Sequence, residues 1–264
     1  MRVWWQWLVL LALLSPMVRA QGSLRACVSD VAQPPFVYWP GGPDAVRNTA
    51  PQVQGLAVDV LRLIAGRIGI ETSTVAVLPL RRCLAMVAAG QMDLVANVPT
   101  AQIDPKPFLV TESYFTLTSE YFYWKKRFPD GVSIKTVEDL PHYRVCGIAG
   151  YSYEGYGLGV NQVDMGAPDY RALVRKMASG RCELFIDKRE TVEGLRLVDA
   201  ELYASLTGGE FGIGTLPEDL PTGLHYAFSR QMRDGAGFLA RFNAALADAK
   251  RRGEINRLAA NYLH

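Results

Sequence analysis

The pattern that most restricts the fold is a double series of short β-rich runs alternating with longer amphipathic ones. The first series reads as strand 24–29, helix 56–68, strand 71–77, helix 80–89 and strand 93–98. Alternation of this kind argues for an α/β unit, a mostly parallel sheet with helices on its faces. A second series follows the aromatic stretch 114–124: strand 143–148, helix 153–158, helix 169–179, strand 182–187 and helix 188–194. A last strand, 224–229, precedes two amphipathic helices, 237–251 and 254–262. Gly69 and Gly90 follow helices where a left-handed cap is expected, and Gly180 separates helix from strand. Asp139-Leu140-Pro141 marks a turn into the second series. The stretches 40–51 and 208–221, rich in Gly and Pro, read as loops, and no internal repeat is found.

The first twenty residues stand apart. Arg2, an apolar run over 3–14 and Ser15-Pro16-Met17-Val18-Arg19-Ala20 have the form of a secretory signal peptide, with the mature chain starting near Gln21. The apolar run is too short to cross a bilayer comfortably, which takes about 20 residues. Leu24-Arg25-Ala26-Cys27 loosely resembles a lipidation box, but Arg25 fits it badly and the segment reads better as the first strand. Without Arg2 and Arg19 the 28 basic residues fall to 26, equal to the 26 acidic ones, so nothing recruits nucleic acid or anionic lipid. Four cysteines in an exported chain argue for two disulfides rather than metal ligands or nucleophiles. His142, His225 and His264 are scattered and lack partners at ligand spacing, so no metal and no cofactor is expected.

The order of motifs resembles the periplasmic solute-binding proteins of family 3, typified by the polar amino-acid binders of ABC importers. The residues that carry it, over nearly the whole mature chain, are 24–30 followed by Pro34-Pro35-Phe36, Gly55-Leu56-Ala57-Val58-Asp59-Val60, Gly90-Gln91-Met92-Asp93-Leu94, Thr111-Glu112-Ser113-Tyr114, Gly150-Tyr151-Ser152-Tyr153-Glu154 and the run 180–187. The resemblance implies a type II clamshell of two α/β lobes, each a mostly parallel sheet flanked by helices. Lobe 1 would hold 21–115 and 224–264, and lobe 2, 116–223, would be inserted, with crossings near 115–119 and 221–224. Ligand would lie in the cleft, which agrees with the rule that open α/β sheets bind beyond the carboxyl ends of their strands.

Seven residues are candidates for that cleft. Asp30, just past the first strand, can accept from a ligand ammonium or cap nearby amides. Phe36 would be an apolar wall or simple core. Arg82, opening a helix behind a strand end, can aim its planar fork at a carboxylate. Asn97 and Thr100 offer neutral groups at the next strand end, in competition with turn chemistry before Pro99 and Pro105. Ser152 precedes a helix whose free amides, with its hydroxyl, suit an anion, and it can equally serve as a cap. Asp187 matches the family position that pairs with a ligand ammonium, a role the resemblance decides over capping the next helix.

The departures from the family are specific. No arginine follows the strand ending at Val98, where a carboxylate clamp is usual; the chain reads Thr100-Ala101-Gln102-Ile103-Asp104-Pro105-Lys106, with only Lys106 as a point charge. Ala57 replaces the first aspartate of a signature, and Gln33 stands where an aromatic often stacks on the ligand. Assigned by lobe, Cys27 and Cys83 fall in lobe 1 and Cys146 and Cys182 in lobe 2, so pairing within lobes leaves the hinge free. The expected activity is capture of a small polar solute, an amino acid or related amine or carboxylate, by a monomer that hands it to an ABC-transporter permease. The alternatives are a sensor subunit serving a membrane receptor, and a dehydratase-like enzyme on the same fold. The latter would need a positioned acid and base, for which Asp30, Glu154 and Asp187 are the candidates.

Overall fold

The computed structural model describes residues 22–39, 52–99, 102–149, 151, 153–217 and 222–263. Residues 1–20, over which a leader is expected, the stretch 40–51, Thr100 and Ser152 lie outside them.

The first series builds β1 (Ser23–Ser29), α1 (Leu56–Arg67), β2 (Glu71–Leu78), α2 (Leu80–Ala88) and β3 (Leu94–Pro99), followed by β4 (Phe108–Val110) and β5 (Phe115–Leu117). The second builds β6 (Ser119–Trp124), β7 (Val145–Ile148), β8 (Val163–Ala167), α3 (Tyr170–Ala178), β9 (Leu184–Lys188), α4 (Arg189–Gly194), α5 (Ala200–Thr207) and β10 (Phe211–Thr215). The chain closes with β11 (Thr222–Ser229), α6 (Gly235–Arg251) and α7 (Glu254–Ala259).

These strands form two sheets. One has the order β2-β1-β3-β11-β4, with β5 also paired to β11; the other has the order β10-β6-β9-β7-β8. β1 is parallel to β2 and β3, and β7 is parallel to β8 and β9, while β11 and β6 run antiparallel to their neighbours. In β1, alternate side chains serve opposite faces. Leu24, Ala26 and Val28 pack with Leu61 and Ile64 of α1 and with Phe238, Phe242 and Ile255 of the C-terminal helices. Cys27 turns the other way, against Cys83, Val87 and Val95. The second sheet is covered likewise. Phe122 and Phe185 stack with ring centroids 4.4 Å apart beneath Leu173 and Met177 of α3, and Leu184 and Ile186 face Leu140, Tyr153 and Leu158.

Three expectations are corrected. The helix expected over 153–158 is only a 3-10 turn, Glu154–Tyr156, because Gly157 ends it in the left-handed conformation, at φ 68°. The loop expected over 208–221 contains β10, paired with β6. Its Gly212 and Gly214 are strand residues covered by the rings of Tyr123 and Tyr121, where any Cβ would collide, so these glycines mark close approach rather than a turn. β8 and α5 arise in stretches to which the sequence pattern assigned no element. Gly69 and Gly90 do take the left-handed conformation expected of them, with φ 76° and 71°.

The two sheets meet at their carboxyl ends. The chain crosses at Thr118, whose N–H donates to Glu190 Oε2 at 3.0 Å, and the crossing strands pair with each other, Leu117 with Thr222 and Phe115 with Leu224. Gly194, at the end of α4, sits so close on the Pro34-Pro35 backbone that a Cβ would overlap it. The Arg196 guanidinium donates to the Tyr262 carbonyl at 3.1 Å. Loops following β1 and β9 are therefore pressed together.

Cys27 is bonded to Cys83, which ties α2 to β1, and Cys146 to Cys182, which ties β7 to the approach of β9, with Cα separations of 5.6 and 5.7 Å. Neither bond links the two sheets. The second closes a loop with a sequence separation of 36 residues, for which loop-closure entropy gives about 4 kcal/mol. Replacing Cys146 and Cys182 together by alanine should lower stability in urea denaturation by about 3–4 kcal/mol; an unchanged midpoint would contradict this account of the bond.

Candidate functional site

Each sheet contains one place where successive connections leave in opposite directions. β1 connects outward to β2 and the chain then returns across it to β3; β7 connects outward to β8 and returns to β9. The crevices beyond the carboxyl ends of β1 and β3, and of β7 and β9, are thus the places where an open α/β sheet receives a ligand.

At the β7–β9 crevice stands Asp187, 7% exposed. Its Oδ2 accepts from the Tyr170 hydroxyl at 2.6 Å and its Oδ1 from the Lys188 N–H at 2.7 Å. Burial pushes its pKa up to about 6, against the opposing pull of those two hydrogen bonds and of the Lys188 charge. Tyr170 is placed by the first turn of α3, which Asp169 caps by accepting from the Ala172 N–H at 2.7 Å. Tyr151 stands beside Tyr170 and keeps 38% of its surface exposed. Burial, then the Asp187 charge, push Tyr151 to about 12. Tyr153 is shifted upward by the same two causes, and its hydroxyl accepts from the Ile148 N–H at 3.1 Å.

Lys188 is the cation nearest in sequence, and it is engaged elsewhere. Its Nζ donates to Ser119 Oγ and lies 5.4 Å from the centre of the Tyr156 ring, while Tyr156 and Ser119 share a hydrogen bond of 3.0 Å. The result is a carboxylate in a wall of phenols, incompletely neutralised. Sequence reasoning singled out Asp187 but missed Tyr151, Tyr153, Tyr156 and Tyr170; the density of tyrosines among the glycines of 150–159 was the available signal.

The first sheet offers a different chemistry. Asn97, 8% exposed, takes φ 60° in a bulge where the pairing of β3 with β11 shifts register. Its Oδ1 accepts from the Tyr114 hydroxyl at 2.6 Å, and its Nδ2 donates to Gln33 Oε1 at 2.7 Å, so side chains from beyond β1 and from β3 are bonded across the crevice. Asp30 is exposed; its N–H donates to Leu78 O at 2.9 Å, continuing the β1–β2 ladder, and its carboxylate has no partner among the described residues. Arg82 is exposed in the first turn of α2. Phe36 is 2% exposed and packs on Phe115 with centroids 5.4 Å apart, so it belongs to the core beneath the crossing strand.

Of the expected residues, Asn97 and Asp187 thus line the two crevices, Asp30 and Arg82 sit at the rim, and Phe36 lies behind it. Among the described residues, the only cluster with metal-like spacing is Cys146, Asp164 and Cys182, and both sulfurs are already bonded to each other. A depression of about 390 Å³ beside Arg62, Glu71 and Thr72 lies at the amino end of β2, at the opposite end of the sheet from its crevice.

Comparison with known proteins agrees with this architecture. The model of the bacterial extracellular solute-binding proteins, family 3, matches residues 27–264. YckB of Bacillus subtilis is 17% identical, with 92% of this chain and 90% of that one covered and a TM-score of 0.66. An ancestral arginine-binding protein bound to arginine is 17% identical, with 92% and 99% covered and a TM-score of 0.59. An amino acid ABC transporter substrate-binding protein, AbpA of Streptococcus pneumoniae, bound to L-arginine, is 19% identical, with 91% and 94% covered and a TM-score of 0.61. No curated protein sequence matches the chain. At these identities the likeness to the solved structures is one of fold, the type II clamshell. The match to the family model spans all but the first 26 residues, and the chain belongs to family 3 of the bacterial extracellular solute-binding proteins.

Proposed function

We propose that this chain is a periplasmic solute-binding protein that captures a small amine-bearing solute between its lobes, 21–115 with 224–264 and 116–223, and delivers it unchanged to an ABC importer. The observation that carries the reading is Asp187, a carboxylate buried at the β7–β9 crevice whose pKa is raised to about 6. A buried carboxylate is costly to ionise unless a cation meets it, and an ammonium from the ligand supplies that charge. Tyr170 and the Lys188 N–H hold the carboxylate in place while leaving lone pairs for the ligand. No helix among the described residues is long and apolar enough to cross a membrane, which suits a protein that meets its transporter from outside.

Closure follows from differential contact. A ligand that touches both crevices binds the closed form better than the open one and shifts the population toward it. Gly194 packs directly on the Pro34-Pro35 backbone, with the Arg196 guanidinium on the Tyr262 carbonyl beside it, and ligand contacts to both crevices add to these. No cofactor is called for, because nothing in the cycle is chemically changed.

Mature protein, unfolded and refolded to remove captured solute, should show a raised thermal midpoint with amines, by about 2.7 kcal/mol of stability at a hundredfold excess over Kd. Sugars and dicarboxylates should leave it unmoved. A response confined to sugars or diacids would refute an amine ligand. Asp187→Asn should weaken amine binding at least about 30-fold, because removing one partner of a buried charge pair costs about 2 kcal/mol or more. Amine affinity should also fall about tenfold per unit as the pH drops below about 6, since an amine needs the ionised carboxylate.

Without ligand the sign reverses. The folded pKa of Asp187 lies above its ordinary 3.8, so the stability tied to its proton is complete below about 3.8 and is lost as the pH rises through about 6. Asp187→Asn should therefore be the more stable protein at pH 7.5, by on the order of 2–3 kcal/mol, with the difference vanishing near pH 4. Melting curves across that range test it; a variant less stable than the parent at pH 7.5 would mean that the carboxylate is not under strain.

A further inference from the structure

The equal totals of basic and acidic residues after residue 20 hide an uneven distribution. Residues 116–223 hold 12 basic and 16 acidic side chains, an acidic balance, yet cations collect at one end of their sheet. β6 runs antiparallel to β9 with Tyr123 opposite Leu184, and β7 runs parallel to β9 with Val145 opposite the same residue. The carboxyl end of β6 and the amino ends of β7 and β9 therefore lie together, at the end of the sheet away from the β7–β9 crevice. Lys125, Lys126 and Arg127 follow β6 directly, Arg144 immediately precedes β7, and Arg181 stands just before β9. These strands are neighbours in the order β6-β9-β7, so the row of cations crosses two strand spacings, about 10 Å.

All five side chains are exposed. The acids among them are partly spoken for: Glu183 is paired with Arg127 at 2.8 Å and with Arg144 at 3.3 Å, so one carboxylate serves two guanidiniums, and Asp164 is held by Lys176 at 2.6 Å. Asp130, in the turn, and Glu210, ahead of β10, are the other acids in the turn and at these strand ends. The Lys125, Lys126 and Arg181 side chains have no hydrogen-bonded or ion-paired partner among the described residues. The turn that carries the first three cations is well braced. The Arg127 and Phe128 N–H groups both donate to the Trp124 carbonyl, at 3.0 and 3.1 Å, and the Gly131 N–H donates to the Phe128 carbonyl at 3.1 Å. The Phe128 ring meets Tyr123 and Tyr143 edge-on, and the Arg127 guanidinium lies 5.8 Å from its centre. The charges are thus presented on a formed surface, with little ordering cost when a partner meets them.

Cations contributed by three separate segments, side by side along the end of a sheet, suit an extended array of phosphates better than a single enclosed anion. We propose that this end of the second sheet is a docking surface for an anionic phospholipid bilayer, with Lys125, Lys126, Arg127, Arg144 and Arg181 resting on the headgroup phosphates. The total charge, from which no such attraction is expected, averages over it. Each Lys or Arg near an anionic surface strengthens binding roughly fivefold, so a patch of this size gives reversible residence at the membrane and not a permanent anchor. The β7–β9 crevice lies at the opposite end of the sheet and stays open to solute while the protein is docked. The proposal does not depend on what Asp187 binds.

The test is co-sedimentation of the mature protein with vesicles of phosphatidylethanolamine mixed with phosphatidylglycerol, and with vesicles of phosphatidylcholine alone. The parent should bind the anionic vesicles at least about tenfold more tightly than the neutral ones, and increasingly weakly as salt is added. Lys125→Gln, Lys126→Gln and Arg181→Gln combined should weaken that binding about 100-fold, with the thermal midpoint unchanged because these side chains have no partners to lose. Arg251→Gln with Arg252→Gln, which removes charge from the far end of α6 instead, should leave it within about twofold of the parent. Equal losses in the two variants would show attraction without a docking face and overturn the proposal. So would a parent that ignores anionic vesicles, or one that binds a DNA duplex through the same three residues but not the vesicles.

Discussion

The arrangement of the molecule depends on a short ladder, Phe115–Leu117 paired antiparallel with the opening of β11. The chain leaves the first sheet along one of these strands and rejoins it along the other. Because the two crossings are bonded to each other, the second sheet is tethered on one side only. The crevice of each sheet then faces the other, and the contact of Gly194 with Pro34-Pro35 sets how closely they approach. Each disulfide lies within the elements of its own sheet, so neither restrains motion about the crossing. A hinge must be soft while its lobes stay rigid, and the covalent ties are distributed accordingly.

The two crevices are chemically unlike, and that difference defines what they can hold. One offers a buried carboxylate among phenols, the other a neutral amide anchored to a buried phenol. In both, a tyrosine hydroxyl from inside the lobe fixes the polar group at the rim: Tyr170 donates to Asp187, and Tyr114 donates to Asn97. Burying a phenol costs nothing in hydrogen bonding when its proton has a fixed acceptor, and the acceptor gains a defined orientation in return. The nearby positive charge, Lys188, is drawn onto Ser119 and Tyr156 rather than onto Asp187. The carboxylate is left short of a side-chain cation, which is what the proposed amine would supply.

Much of this architecture was legible in the sequence because it rests on period. α1 shows its buried stripe through Leu56, Val60, Leu61 and Ile64, and β1 through Leu24, Ala26 and Val28. Where the sequence misled, local signals had a non-local cause. Gly212 and Gly214 look like turn residues but are strand positions emptied for Tyr123 and Tyr121, which lie some ninety residues earlier in the chain. The site was legible only in part. Asn97 could be picked out from its place at a strand end, and Asp187 from a family resemblance at another. Their partners could not, since Tyr170 precedes Asp187 by 17 residues and Gln33 precedes Asn97 by 64, and only the folded sheets bring them together.

The most direct test of the account is a crystal structure of the protein purified without denaturation, with whatever solute it has captured still in place. The account requires density between the two crevices, with a ligand nitrogen about 2.7–3.0 Å from an Asp187 carboxylate oxygen. A solute that sets an anionic or apolar group against Asp187, or that lies outside the seam between the sheets, would contradict it.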